Sequence, residues 1–182
     1  MATFAAIVAV LALTNGVHSF MSSYKANFTF TCPDKHALMT MESFDNTGVH
    51  DRIWHFDCHE MEGIPLGQCQ WLPPNHDLGK TDNSKCGNDM VVAGVKSMYP
   101  DNHFVRINDR QWSYRCCQLG PNYILHACNY TDYLNDYHDQ MGYTLPDGWF
   151  ISGVNSVYDS RQRDRRYKLD VCLLSQVISS IG

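Results

Sequence analysis

Two short patterns of alternating apolar and polar residues recur along this chain. One reads DRIWHFDC at 51–58, DRQWSYRCC at 109–117 and DRRYKLDVC at 164–172. Arg52, Trp54, Phe56 and Cys58 share one parity, matched by Arg110, Trp112, Tyr114 and Cys116, while Asp109, Gln111, Ser113 and Arg115 take the other. Side chains of a strand alternate between its faces, so the aromatic set is expected inward and the polar set toward water. In the third copy Tyr167 and Leu169 take the inward places.

The second pattern precedes the first. It reads CPDKHALMTMESF (32–44), CGNDMVVAGVKSM (86–98) and LPDGWFISGVNSV (145–157). These stretches are β-branched, small or aromatic with period two and offer no helical face, so they too predict strands. Gly-, Asn-, Asp- and Pro-rich segments between them read as turns and loops. Ser43, Ser97 and Ser156 register the copies, with 8, 12 and 8 residues from that Ser to the Asp of the phrase. The expected fold is all-β: a single disulfide-stapled domain of three internal repeats with pseudo-threefold symmetry, prism-like or trefoil-like, over 20–182. The repeat units run about 32–58, 86–117 and 145–172.

The same register sorts the eight cysteines. Cys32, Cys86 and Leu145 open the units, and Cys58, Cys116 and Val171 stand seven residues after the phrase Asp. Cysteine occupies both positions or neither. Cys69 and Cys128 lie seventeen residues before a unit start, and Cys117 and Cys172 eight after the Asp. In the first unit those places hold Asn15 and His59, so again both halves are missing. The pairs expected are Cys32–Cys58, Cys86–Cys116, Cys69–Cys117 and Cys128–Cys172, one pattern among the many open to eight cysteines.

An even cysteine count in an exported chain points to disulfides rather than to free thiols or metal sites. The start agrees: Phe4 to Leu13 is apolar but too short to span a bilayer, and Val17 and Ser19 supply small residues for cleavage, so residues 1–19 read as a signal peptide. No later run is apolar enough for membrane insertion. Asn27 and Asn129 head glycosylation sequons. The net charge of −5 argues against a nucleic-acid partner. The chain carries no zinc spacing, HExxH, GxSxG or phosphate loop, so neither cofactor, metal nor catalytic residue is expected.

Three copies of D-R-x-W-x-aromatic-x-C, with Cys116 and Cys117 adjacent in the middle one, resemble the dermatopontin family from about Cys32 to Cys172. The chain departs from that pattern at Ile53, where the family has Glu or Gln, and at Tyr167, where it has Trp. The Tyr- and Asp-rich N-terminal segment of vertebrate members is missing. The resemblance implies a secreted matrix protein that binds proteoglycans, collagen and cells; invertebrate relatives are also shell-matrix proteins and blood-cell agglutinins.

Three groups of residues remain to be placed. Asp51, Arg52 and Trp54, Asp109, Arg110 and Trp112, and Asp164, Arg165 and Tyr167 form either a structural set, each inward Arg packed on an aromatic and paired with a carboxylate, or a ligand site repeated three times. RQRDRRYK (161–168) holds five of the chain's 14 basic residues. Arg161, Arg163, Arg166 and Lys168 are candidates for binding sulfated glycosaminoglycans of proteoglycans, the alternative being a charged edge strand. NYTDYLNDYHDQ (129–140) reads as a solvated loop, the alternatives being tyrosine sulfation or carboxylates offered to Ca²⁺. Matrix fibres such as collagen and cell-surface receptors complete the expected partners. The main rival function is a multivalent carbohydrate-binding agglutinin, which exposed aromatics beside polar side chains at equivalent places in the units would favour.

Overall fold

The computed structural model describes residues 18–100 and 107–177. Its strands are β1 (His18–Met21), β2 (Phe28–Thr31), β3 (His36–Asn46), β4 (Asp51–Glu60), β5 (Leu66–Trp71) and β6 (Asp82–Lys85). They continue with β7 (Met90–Met98), β8 (Gln111–Leu119), β9 (Tyr123–Tyr130), β10 (Met141–Thr144), β11 (Trp149–Asp159) and β12 (Asp164–Gln176). The recurring stretches form the long antiparallel hairpins β3–β4, β7–β8 and β11–β12. Among the described residues no helix is long and apolar enough to cross a membrane. The expected signal peptide lies outside the described residues, apart from His18 and Ser19 at the start of β1.

Each hairpin is the middle of a four-stranded sheet, in the orders β1-β4-β3-β10, β2-β7-β8-β5 and β6-β11-β12-β9. The short strand that leads into a hairpin does not join it. β2 precedes β3 but pairs with β7; β6 precedes β7 but pairs with β11; β10 precedes β11 but pairs with β3. Each unit thus completes the sheet of another, in cyclic order.

The alternation in β4 takes the expected form: Arg52, Trp54, Phe56 and Cys58 are buried while Ile53, His55 and Asp57 are partly exposed. Trp112, Tyr114, Tyr167, Leu169, Met41, Val95 and Val154 join them in one core. The face holding Asp109 and Ser113 departs from expectation, since both are buried. Asp109 turns in just before β8, as Asp51 and Asp164 do at the first residues of β4 and β12, because each carboxylate meets an arginine of another unit there. Ser113 forms part of the floor of a groove.

Register shifts interrupt the three hairpins at equivalent places, between Leu38 and Thr40, Val92 and Val95, and Ile151 and Gly153. A Cβ on Gly94 would lie 2.8 Å from the Phe30 carbonyl oxygen, and one on Gly153 2.8 Å from that of Ser84. Both oxygens belong to the exchanged strands β2 and β6, whose backbones cannot yield without losing ladder bonds. Gly153→Ala is therefore expected to destabilise by about 1–3 kcal/mol, read as a fall in the urea midpoint. At the matching place in β3 stands Thr40, whose Oγ1 lies 3.2 Å from that of Thr144, and Thr40→Ala is expected to be milder.

The four disulfides are Cys32–Cys58, Cys69–Cys117, Cys86–Cys116 and Cys128–Cys172, and no cysteine is free. They are the pairs that the repeat register gives. Cys69 and Cys117 are direct cross-strand partners of β5 and β8, so that bond ties an edge strand to its hairpin. Cys128–Cys172 does the same for β9 and β12.

Candidate functional site

The three phrase arginines and aspartates meet at the hairpin-turn end of the sheets. Arg52 donates from Nε and Nη2 to the two carboxylate oxygens of Asp164 at 2.8 and 2.6 Å. Arg110 does the same to Asp51 at 2.8 and 2.6 Å, and Arg165 to Asp109 at 2.6 and 2.7 Å. Every pair joins two different units, and the three close a ring. Such bidentate geometry is the strongest form of this ion pair.

The rest of each guanidinium is also engaged. Its Nη1 reaches the Oγ of the registering serine, Ser43, Ser97 or Ser156, at 3.2, 3.3 and 3.0 Å. A further N–H donates to the backbone carbonyl of Asp139, Ala26 or Lys80. The residue just before each of those carbonyls, His138, Lys25 or Gly79, gives its backbone N–H to the aspartate. Two consecutive loop residues therefore serve both members of every ion pair. Burial works against the charge on Arg52 and on Arg165, but hydrogen bonds and the nearby carboxylate outweigh it and raise both above the ordinary arginine value. Both remain cations throughout.

Inside the ring lie the three aromatic residues of the phrases. Trp54 packs edge-on to Trp112 at 4.8 Å and to Tyr167 at 5.0 Å, and Trp112 to Tyr167 at 6.4 Å. Burial drives the Tyr167 phenol well above its usual range, so it stays neutral. At the mouth, between His50, Asn108 and Arg163, the remaining cavity is about 20 Å³, room for about one water. Among the described residues the ring arginines are engaged by these partners and the space above them is about that of one water, so the arrangement ties the three units to one another.

Asp45, His138 and Asp164 bring possible metal-ligand atoms within 4.8 Å of one another. Asp164 already accepts from Arg52 and from the His138 backbone, and His138 Nδ1 lies 2.9 Å from Asp45. This is a hydrogen-bonded cluster beside a fixed cation. Another buried polar group lies at Asp82, fully enclosed, where burial raises the carboxyl and bonds from Ser84 and Tyr114 oppose it.

The basic cluster at 161–168 is divided by the fold. Arg161 and Arg163 are exposed in the β11–β12 turn, with Arg163 Nη1 3.2 Å from His50 Nε2. Arg166 instead lies over the rings of Tyr133 and Tyr137 at 4.1 and 4.9 Å and faces Asp136 at 3.5 Å. Lys168 Nζ sits 4.5 Å over Tyr133. Two of the four cations are thus stacked on the tyrosine-rich loop, which the sequence pattern left as merely solvated. Asn27 and Asn129 are both exposed; the Asn27 side chain accepts the Tyr99 backbone N–H at 2.7 Å.

The outer faces carry a feature that alternation alone did not single out. Trp71, at the end of β5, is 40% exposed, and Tyr130, at the end of β9, 44%. They stand two residues after Cys69 and Cys128, so the cysteine register already places them in equivalent positions. Trp71 lines a groove of about 420 Å³ with Thr29, Leu72, Pro73, Pro74, Lys96 and Ser113.

Comparison with known proteins places this geometry. Residues 22–176 match the family described as Dermatopontin. The chain is 26% identical over 171 residues to the hemagglutinin/amebocyte aggregation factor of Limulus polyphemus, covering 93% of this chain and 96% of that protein. It is 29% identical to Millepora cytotoxin-1 of Millepora dichotoma, over 86% of this chain and 67% of that one. Identity to dermatopontin of Mus musculus is 25%, over 88% and 79%. No solved structure matches.

Proposed function

The chain belongs to the dermatopontin family, and on that premise we propose that it is a secreted, non-enzymatic extracellular-matrix protein that bridges other molecules through its outer surface. What carries this reading is the commitment of the conspicuous repeated residues to one another. Each ring arginine and aspartate is buried and paired bidentately with its partner from another unit, which leaves recognition to exposed side chains. Of the four cations of the basic cluster, Arg161 and Arg163 are the exposed ones, and sulfated glycosaminoglycan chains of proteoglycans are the partner that exposed guanidinium groups suit. Matrix fibres and cell-surface receptors are further partners in this reading.

The test is elution from immobilised heparin along a salt gradient. The oxidised protein is expected to bind and to be released as salt screens the contacts. Arg161→Ala with Arg163→Ala is expected to weaken binding about tenfold, or about 1.4 kcal/mol. Arg166→Ala should change it little, because that guanidinium is already stacked. Retention that ignores the turn arginines would sink the reading.

A second reading, an agglutinin that binds carbohydrate, is favoured by one observation: Trp71 and Tyr130, exposed aromatics beside polar side chains, occupy equivalent places in two units.

A further inference from the structure

The inference that follows rests on the second reading and is independent of the turn arginines. On the second sheet Thr29, Lys96 and Ser113 form one cross-strand row, and Trp71 stands opposite Arg115 at the edge. On the third sheet the same row is Asn83, Asn155 and Lys168, and Tyr130 stands opposite Asp170. Both sheets therefore present one exposed aromatic side chain next to a short row of hydroxyl, amide and ammonium groups. The first sheet has Gly142, Glu42 and His55 in that row, with Ser19 opposite Asp57, and His55 is already bonded to Glu42 at 3.1 Å.

A pyranose ring has the complementary chemistry. One face carries C–H groups that lie on an aromatic ring, and the rim carries hydroxyls that accept from amides and ammonium groups and donate to hydroxyl and carbonyl oxygens. A concave site with an apolar base and a few convergent polar groups is the usual form of a small-ligand site. At Trp71 the prolines and Leu72 extend the apolar base. At Tyr130 the phenol donates to Asn83 Oδ1 at 3.0 Å, and the Asn155 amide lies 3.5 Å from the same oxygen. That aromatic ring is thereby held in place before any ligand arrives. Asn129 and Tyr130, as neighbours on a strand, point to opposite faces, so a glycan on Asn129 leaves the Tyr130 face clear.

We propose that Trp71 and Tyr130 are the stacking platforms of two glycan-binding sites, each taking the C–H face of a pyranose ring. Thr29, Lys96 and Ser113 orient the sugar at the first. Asn83 and Asn155 do so at the second, where Lys168 is already drawn onto Tyr133. The two sites lie on different sheets, so one molecule engages two sugar residues and cross-links glycan-bearing surfaces through valency.

The experiment uses the oxidised protein after enzymatic removal of its own N-glycans. It is applied to an array of neutral, sialylated and uronate-containing glycans, in physiological and in high salt. The best-bound sugar is then followed as its methyl glycoside by saturation-transfer NMR and calorimetry. Binding is expected to persist in high salt, with ring C–H protons receiving the saturation and two sites per molecule. Trp71→Ala or Tyr130→Ala alone should leave one site, and the double variant should lose binding at least about tenfold. Both residues are exposed, so an unchanged thermal melt will show that the variants fold. Arg161→Ala with Arg163→Ala should have no effect on this binding, which separates this inference from the heparin reading. Three outcomes overturn it: no glycan bound in high salt, binding that survives the double variant, or loss of Trp71 acting only through self-association of the protein.

Discussion

Arg165→Met is expected to destabilise the domain by about 3–5 kcal/mol, the usual consequence of removing one partner from a buried ion pair. The variant leaves Asp109, whose side chain is 2% exposed, charged and far from water. Among the described residues the backbone N–H groups of Gly79 and Arg110 remain to it, at 2.7 and 2.8 Å. It also leaves the Lys80 carbonyl without its 2.7 Å donor. Asp109→Leu should do comparable damage by stranding the arginine. The double variant should be markedly less harmful than the sum of the two, by about 1 kcal/mol or more, because neither charge is then buried alone. Urea unfolding of the four proteins forms the cycle that checks this. Arg161→Ala, on the exposed turn nearby, should stay within about 0.5 kcal/mol of the parent. Strictly additive losses at Arg165 and Asp109 would mean that the ring is not what joins the units. By the same logic Arg52→Met and Arg110→Met should match Arg165→Met, since each breaks one link of the same closed ring.

Reduction of the disulfides should have the larger effect: the reduced, alkylated chain is expected to be unfolded at room temperature. The four bridges span 26, 48, 30 and 44 residues. In the chain-entropy model loops of that size contribute about 3.5–4 kcal/mol each. Together they approach about 15 kcal/mol, the upper end of what a domain of this kind has in total. Near-ultraviolet circular dichroism and the loss of a cooperative melt are the readouts. Removing Cys69 and Cys117 alone, as serines, should lower stability by about 4 kcal/mol and free β5 first, because that bond ties an edge strand to β8. A reduced chain that still melts cooperatively would show that the ion-pair ring and aromatic core suffice without the bridges.

Much of this was legible before any fold was known, because it depends on local order. Period-two alternation put Arg52, Trp54 and Phe56 on one side of a strand, and a strand has only two sides. The cysteine pairs followed from positions gained or lost together across copies, which needs no coordinates. The same register places Trp71 and Tyr130 in equivalent positions, two residues beyond Cys69 and Cys128.

Other features had no local signature. Asp109 looked like a residue of the wet face because its partner, Arg165, lies 56 positions away in another unit. Arg166 and Lys168 looked like free cations because nothing in RQRDRRYK announces the tyrosines of 129–140 that cover them. Nor does any strand state that it will leave its own hairpin, as β2, β6 and β10 do. By itself, then, the sequence determined the six strands of the three hairpins, most of their inward faces and the cysteine pairing, since each follows from spacing along the chain, whereas β5, β6, β9 and β10 lie in connecting segments whose composition reads as turns and loops. The tertiary structure alone decided which carboxylate meets which guanidinium, which cations stay open and which aromatics share a face with a polar row, because those depend on segments that become neighbours only when the three units close on one another.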